Sequence, residues 1–112
     1  MAQPHAVSGQ VVHLSPLAGQ LPNAVTTAIL KAEQLELVRI VLAKGKSMPE
    51  HQVQGEITVL CLEGRIALRT SDGTRMLGPS DLIHLPGGEP HALTAEQDAT
   101  ALLTICLARR QA

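Results

Sequence analysis

Short runs of branched apolar residues, separated by Gly, Pro and Asp, follow one another along most of the chain. In the run at 35–43, Val38, Ile40 and Leu42 occupy alternate positions, which is the two-residue period of a strand. The runs are too short for isolated helices, so strands are favoured. Strands are predicted at residues 26–31, 35–43, 57–62, 65–70, 74–77, 81–85, 91–94 and 100–108.

Residues that favour turns lie between these runs. Ser71-Asp72-Gly73 contains the Asp-Gly pair of a tight hairpin, because glycine adopts positive φ at little cost. Turns are also predicted at 43–47, at Gly78-Pro79-Ser80 and in the Pro- and Gly-rich segment 86–90. Many short strands with such close turns indicate an all-β fold, for which the periodicity leaves both a barrel and a sandwich open.

Residues 1–23 differ from the rest because Pro4, Pro16 and Pro22 interrupt them. Their one apolar piece, Val11-Val12-His13-Leu14, is predicted to be an edge strand or an arm that exchanges between two copies. Residues 24–112 are predicted to form a single domain, since a chain of 112 residues can bury one core without disulfides.

The composition narrows the possible partners. The net charge is −1 and the Lys and Arg residues are scattered, so no basic stripe is available to follow a nucleic-acid backbone. Phe, Tyr and Trp are absent, so any pocket must have aliphatic walls. No apolar run is long enough to span a membrane, and no secretory signal is recognisable. Cys61 and Cys106 are predicted to be buried, reduced thiols, and a cytoplasmic location is therefore expected.

Two segments resemble the paired motifs of the cupin superfamily. The first family motif has Gly, five residues, His-x-His, three or four residues, Glu, six residues and Gly. In this chain Gly45 and His51 match its beginning and Gly64 matches its end. Val53 and Ile57 stand where the family has the second His and the Glu.

The second family motif has Gly, five residues, Pro-x-Gly, two residues, His, three residues and Asn. Pro86, Gly88 and His91 match it, while Ser80 replaces the first Gly and Ala95 replaces the Asn. Fifteen residues separate the two motifs, as in short single-domain microbial cupins.

The resemblance covers roughly residues 35–108 and implies a cupin-type double-stranded β-helix, which is a jelly-roll barrel. In the family, three His and one carboxylate form a cage for Fe, Mn, Ni, Zn or Cu, with open positions for a substrate. His51 and His91 are therefore the expected metal ligands. Even spacing along one strand is expected to turn His51, Val53 and Ile57 toward the same face. The residues expected to line the pocket are Met48, Val53, Ile57 and Cys61.

Two further side chains are candidates for the missing ligands. If the inward face of its strand carries His84, then His51, His84 and His91 form a three-His site. The alternative is a neutral His84 that is hydrogen-bonded inside the barrel or at a dimer interface. Glu56 reaches the pocket only if a β-bulge at Gln54-Gly55 rotates it inward, and otherwise it is a solvated surface charge.

Four functions are compatible with these residues. The preferred prediction is a small cupin that binds a divalent metal, a small molecule or both in its barrel, with undefined activity. The alternatives are a metal-free binding or sensing module and a metal-dependent dioxygenase, isomerase or decarboxylase. A barrel filled with side chains would instead suit a structural or regulatory partner protein. A homodimer is expected, because the segments at 11–14 and 35–42 have apolar residues to spare for a symmetric contact.

Overall fold

The computed structural model describes residues 5–17 and 25–107 of the chain. These residues form strands and no helix, so that none of them belongs to a helical membrane span. The all-β prediction is therefore confirmed. The strands are β1 (Thr27–Lys31), β2 (Leu35–Leu42), β3 (Ser47–His51), β4 (Ile57–Glu63), β5 (Ile66–Thr70), β6 (Gly73–Leu77), β7 (Leu82–Leu85), β8 (His91–Ala95) and β9 (Ala99–Cys106).

The strands form two antiparallel sheets. The five-stranded sheet has the order β1-β2-β9-β4-β7, and the four-stranded sheet has the order β3-β8-β5-β6. The chain passes repeatedly from one sheet to the other, so β9 lies between β2 and β4 although it is last in the sequence. This is the jelly-roll arrangement that the motif resemblance implies.

One aliphatic core fills the space between the sheets. In β4 the inward residues Ile57, Val59 and Cys61 are 3 %, 0 % and 0 % exposed, and their neighbours in sequence are more open. Ile66 and Leu68 of β5 face them from the other sheet and are equally buried. Burial of about 1.5–3 kcal/mol per large aliphatic side chain therefore stabilises the barrel without aromatic residues.

Strand β3 was not predicted, because Pro49 and two charged or polar neighbours hide its apolar pattern. Pairing with β8 defines it, with Met48 opposite Leu93. Its place at the edge of the four-stranded sheet tolerates the proline, which has no N–H to donate.

The chain leaves the four-stranded sheet after His51 and is irregular until β4 begins at Ile57. Gly55 lies in this crossing, where a Cβ would overlap the Cys106 carbonyl group. The expectation that His51, Val53 and Ile57 share one strand is therefore wrong, since His51 and Ile57 belong to different sheets. Val53 nevertheless packs against the core from the connecting segment.

Residues 5–17 form an N-terminal arm along the outside of β1. The Ala6 N–H donates to the Ile29 carbonyl at 2.8 Å, and the Leu17 N–H donates to the Glu63 carboxylate at 2.8 Å. Val11–Leu14 has no strand in this arm. The predicted boundary between residues 23 and 24 lies outside the described residues.

Candidate functional site

His51 and His91 come together at the paired ends of β3 and β8. They are directly opposite each other in this antiparallel pair. Their ring centroids are 4.3 Å apart, and the ring planes meet at 61° in an edge-to-face contact. Cross-strand pairing alone therefore joins the two motif histidines, which are far apart in sequence.

Backbone carbonyl groups hold both imidazoles by the same nitrogen. Nδ1 of His51 lies 3.1 Å from the Pro49 oxygen, and Nδ1 of His91 lies 2.9 Å from the Glu89 oxygen. A carbonyl oxygen only accepts hydrogen bonds, so each Nδ1 must carry a proton to make these contacts. In the neutral ring this leaves the lone pair on Nε2. Both histidines are thus held in the tautomer whose Nε2 lone pair is available to a metal ion. A carbonyl group that binds the other ring nitrogen commonly orients a histidine ligand in this way.

The two rings differ in their access to solvent. His91 is 3 % exposed, whereas His51 is half-buried at the edge of the sheet. A metal ion or small molecule would therefore approach the pair from the side of His51.

The four residues expected to line the pocket belong to the apolar core or pack on it. Ile57 and Cys61 are core residues, and Met48 and Val53 are half-buried against them. Burial raises the pKa of the Cys61 thiol, and the negative charge of Asp81 adds to the effect. Cys61 therefore stays protonated at neutral pH and does not supply a thiolate ligand or nucleophile.

His84 and Glu56 contact each other instead of the histidine pair. His84 Nε2 lies 2.7 Å from Glu56 Oε1, and the two side chains are 56 % and 67 % exposed. The reason lies in β7, where Ile83 and Leu85 point inward and His84 consequently points outward. The apolar pair Ile83 and Leu85 was the sequence signal for this orientation. The candidate three-His grouping does not form, and no bulge brings Glu56 into the barrel.

The histidine pair gains no third protein ligand from its surroundings. Across residues 5–17 and 25–107, no three His, Cys, Asp or Glu side chains are grouped so that they could hold a metal ion. The four-ligand cage of the motif resemblance is therefore not reproduced there. The possible metal donors at this site are therefore the two imidazole rings.

Glu89, two residues before His91, connects the histidine site to the neighbouring hairpin. Its carbonyl group accepts from His91, and its carboxylate accepts from the Ser71 hydroxyl at 2.7 Å and the Ser71 N–H at 3.2 Å. These hydrogen bonds from Ser71 lower the pKa of Glu89. The β5–β6 turn thereby fixes the segment that orients His91.

Comparison with protein families settles the identity of this barrel. The model of the cupin domain matches residues 38–107, which is more than half of the chain. The chain belongs to the cupin family. The cupin match includes both histidines, strands β3 to β9 and β2 from Val38 onward. Among curated proteins, none matches this cupin.

Solved structures share the fold of this cupin at low sequence identity. A conserved protein of unknown function from Streptococcus pyogenes is 19 % identical with a TM-score of 0.77, and the match covers 98 % of this chain and 100 % of that one. A cupin superfamily protein from Desulfitobacterium hafniense is 20 % identical with a TM-score of 0.72, covering 75 % and 77 % of the two chains. The DMSP lyase DddQ from Ruegeria pomeroyi is 22 % identical with a TM-score of 0.69, covering 79 % of this chain and 49 % of the lyase. At these identities the likeness shows a common fold.

Proposed function

We propose that this cupin binds a divalent transition metal through Nε2 of His51 and Nε2 of His91, with water or a small molecule completing the coordination. The observation that supports the proposal is the shared hydrogen bond from each Nδ1 to a backbone carbonyl group. It leaves two neighbouring lone pairs in rings whose centroids are 4.3 Å apart.

The donor set suits some metals better than others. Two imidazoles offer nitrogen ligands and no negative charge, and imidazole is a good ligand for Zn²⁺, Cu²⁺ and Ni²⁺. Mn²⁺ prefers carboxylate and carbonyl oxygens, which this pair does not offer. Among the metals that the family motif implies, the proposal therefore favours Cu²⁺, Ni²⁺ and Zn²⁺ over Mn²⁺.

A metal in this site would supply a Lewis acid for an oxygen atom of a small ligand, because two protein ligands leave coordination positions open. The chain itself would orient both imidazoles through the Pro49 and Glu89 carbonyl groups. We limit the proposal to binding. In the metal-dependent enzymes that the family resemblance suggests, at least three protein groups normally coordinate the metal.

Metal-free binding of a small molecule is the second candidate. It is favoured by the replacement of two family ligands by Val53 and Ile57, which makes the wall apolar. In this case the two Nε2 atoms would accept hydrogen bonds from hydroxyl or N–H groups of the ligand.

Metal content and metal titration separate the two candidates. The full chain would be purified without a histidine tag or chelator, and its metal content measured by elemental analysis. Protein concentration would come from amino-acid analysis, since the chain has no aromatic residue to absorb at 280 nm. Calorimetric titrations with Zn²⁺, Cu²⁺, Ni²⁺ and Mn²⁺ would follow for the parent chain and for His51→Ala, His91→Ala and His84→Ala.

The proposal expects one metal per chain, with binding lost in both His51→Ala and His91→Ala. His84→Ala is the matched control, because it removes an exposed histidine that lies outside the pair, and it should bind normally. Absence of binding in the parent chain would overturn the proposal in favour of the metal-free candidate. Loss of binding in His84→Ala alone would place the metal on the outer surface and contradict the proposal equally.

We also propose that this cupin forms a homodimer. Val11 of the arm is 90 % exposed, and Leu35 and Leu82 of the five-stranded sheet are 44 % and 63 % exposed. Exposed apolar side chains such as these support a symmetric contact between two copies. Light scattering should therefore give twice the chain mass of 11.8 kDa. A mass of one chain at micromolar concentration would contradict the dimer.

A further inference from the structure

A cleft of about 250 Å³ separates the N-terminal arm from the barrel. The arm contributes Ala6 and Gln10–Leu14, β1 contributes Thr27–Ile29, and β2 contributes Arg39. The cleft lies outside the barrel and includes neither histidine of the proposed metal site. Six of its ten lining residues are aliphatic, and the other four are Gln10, His13, Thr27 and Arg39, so that the cleft offers both apolar and polar surface.

The surrounding protein supplies too few hydrogen-bond acceptors for the charged guanidinium of Arg39. Its side chain is 12 % exposed, and its Nη2 donates to the Ser15 carbonyl group. The nearest carboxylate, that of Glu63, is 3.9 Å from Nη2 and therefore beyond hydrogen-bonding distance. Within residues 5–17 and 25–107, the buried Nε has no acceptor.

Two other groups already donate hydrogen bonds to the Glu63 carboxylate. Its Oε2 accepts from the Leu17 N–H at 2.8 Å and from the Thr100 hydroxyl at 3.0 Å. Glu63 thus offsets part of the charge of Arg39 without filling its hydrogen-bonding capacity. A guanidinium has five N–H donors, and a buried donor that lacks an acceptor is unfavourable.

We propose that this cleft binds a small aliphatic carboxylate, whose oxygens accept hydrogen bonds from the Arg39 guanidinium while its carbon chain packs against the arm and β1. A carboxylate matches the planar guanidinium and forms charge-assisted hydrogen bonds with it. The cleft is smaller than a typical pocket for a drug-sized ligand, which limits the acid to a few carbon atoms. Glu63 disfavours a dianion such as phosphate, because one arginine must already balance one carboxylate.

Nuclear magnetic resonance of the full-length, ¹⁵N-labelled protein tests this proposal. Isobutyrate would be added at constant pH and ionic strength while the Arg39 Nε–H signal and the Thr27 and Ile29 amides are followed. Isobutyramide is the uncharged ligand of the same shape, and inorganic phosphate is the competing anion. Isobutyrate should produce saturable shifts, isobutyramide should not, and phosphate should bind more weakly than isobutyrate.

Three variants connect the signals to the cleft. Arg39→Gln should weaken isobutyrate binding by about tenfold or more, because it removes the charge-assisted hydrogen bonds. Thr27→Leu should weaken it similarly by filling space beside Arg39, its cross-strand neighbour. Arg69→Gln is the matched control, since Arg69 lies 3.9 Å from Glu50 in the other sheet but is 61 % exposed. It should bind isobutyrate normally.

Several results would overturn the proposal. These are the absence of saturable shifts, an equal response to isobutyramide, tighter binding of phosphate, or the same loss of affinity in Arg69→Gln. An unchanged affinity in a folded Thr27→Leu variant would show that the acid binds elsewhere. Zn²⁺ binding in Arg39→Gln should match the parent chain, so failure of this proposal and failure of the metal proposal are distinguishable.

Discussion

The turn between β6 and β7 places Ser80 in a conformation that suits glycine. The Asp81 N–H donates to the Gly78 carbonyl at 3.0 Å, with Pro79 at the second turn position. Ser80 follows with φ of 72°, which is the third position of a type II turn. This is also the position where the cupin motif has glycine, so the backbone keeps the family geometry although the residue differs. A left-handed conformation costs a non-glycine residue about 1–2 kcal/mol.

Ser80→Gly is therefore expected to stabilise the protein by about 0.5–1 kcal/mol, after allowing for the greater freedom of glycine in the unfolded chain. Urea denaturation followed by far-ultraviolet circular dichroism would measure the free energy of unfolding. Ser80→Ala is the control, since it removes the hydroxyl group and retains the unfavourable φ. A glycine variant that is no more stable than the alanine variant would refute the explanation.

The two thiols should differ in reactivity because burial affects them unequally. Cys61 is 0 % exposed and burial raises its thiol pKa, whereas Cys106 is half-buried near the end of β9. In the native protein at neutral pH, a thiol-specific disulfide reagent should react with Cys106 first, and with Cys61 only on unfolding. The Cys106→Ser variant should consequently react slowly when native. Rapid reaction of that native variant would contradict a buried, protonated Cys61.

At the scale of elements, the β5–β6 turn supports the histidine pair through Glu89. Ser71→Ala removes one hydrogen bond to the Glu89 carboxylate, and so loosens the segment whose carbonyl group orients His91. We expect metal affinity to fall by up to about tenfold, which is the lower end for groups that orient metal ligands. Competition with a colorimetric chelator would measure the affinity.

Ser47→Ala is the corresponding control in the same sheet. Ser47 shares a hydrogen bond of 2.9 Å with Thr94, and this bond has no connection to His91. It should leave metal affinity unchanged. Equal losses in the two serine variants would indicate a general effect on the four-stranded sheet rather than orientation of His91.

The elements also show what the sequence could predict. Alternating apolar residues indicated β2, a run of branched apolar residues indicated β4, and the Asp-Gly and Pro-Gly segments indicated the β5–β6 and β7–β8 turns. β3 was not predicted, because pairing with β8 forms this strand and its own sequence has no alternation of apolar and polar residues. The break between His51 and Ile57 was equally hidden, since it follows from the close approach of Gly55 to β9.

At the scale of the whole molecule, motif spacing predicted the family and the meeting of His51 with His91. It could not reveal how many ligands the site has, because that number depends on which faces of other strands point inward. The alternation along β7 puts Leu82 and His84 on one face of the strand. This face is the outer one, because Ile83 and Leu85 on the other face pack into the core. The cleft beside Arg39 was also beyond prediction, since it forms only where the arm lies on β1 and β2.

Histidine-ring ¹⁵N spectra test the central claim most directly. At a pH of about 8, both Nε2 atoms of the His51 and His91 pair should lack a proton in the metal-free protein, because each Nδ1 donates its proton to a backbone carbonyl group. Adding Zn²⁺ should then shift both Nε2 signals together, with His84 unaffected. Protonated Nε2 atoms in the free protein, or a Zn²⁺ response at His84 alone, would contradict the assignment of this pair as the metal site.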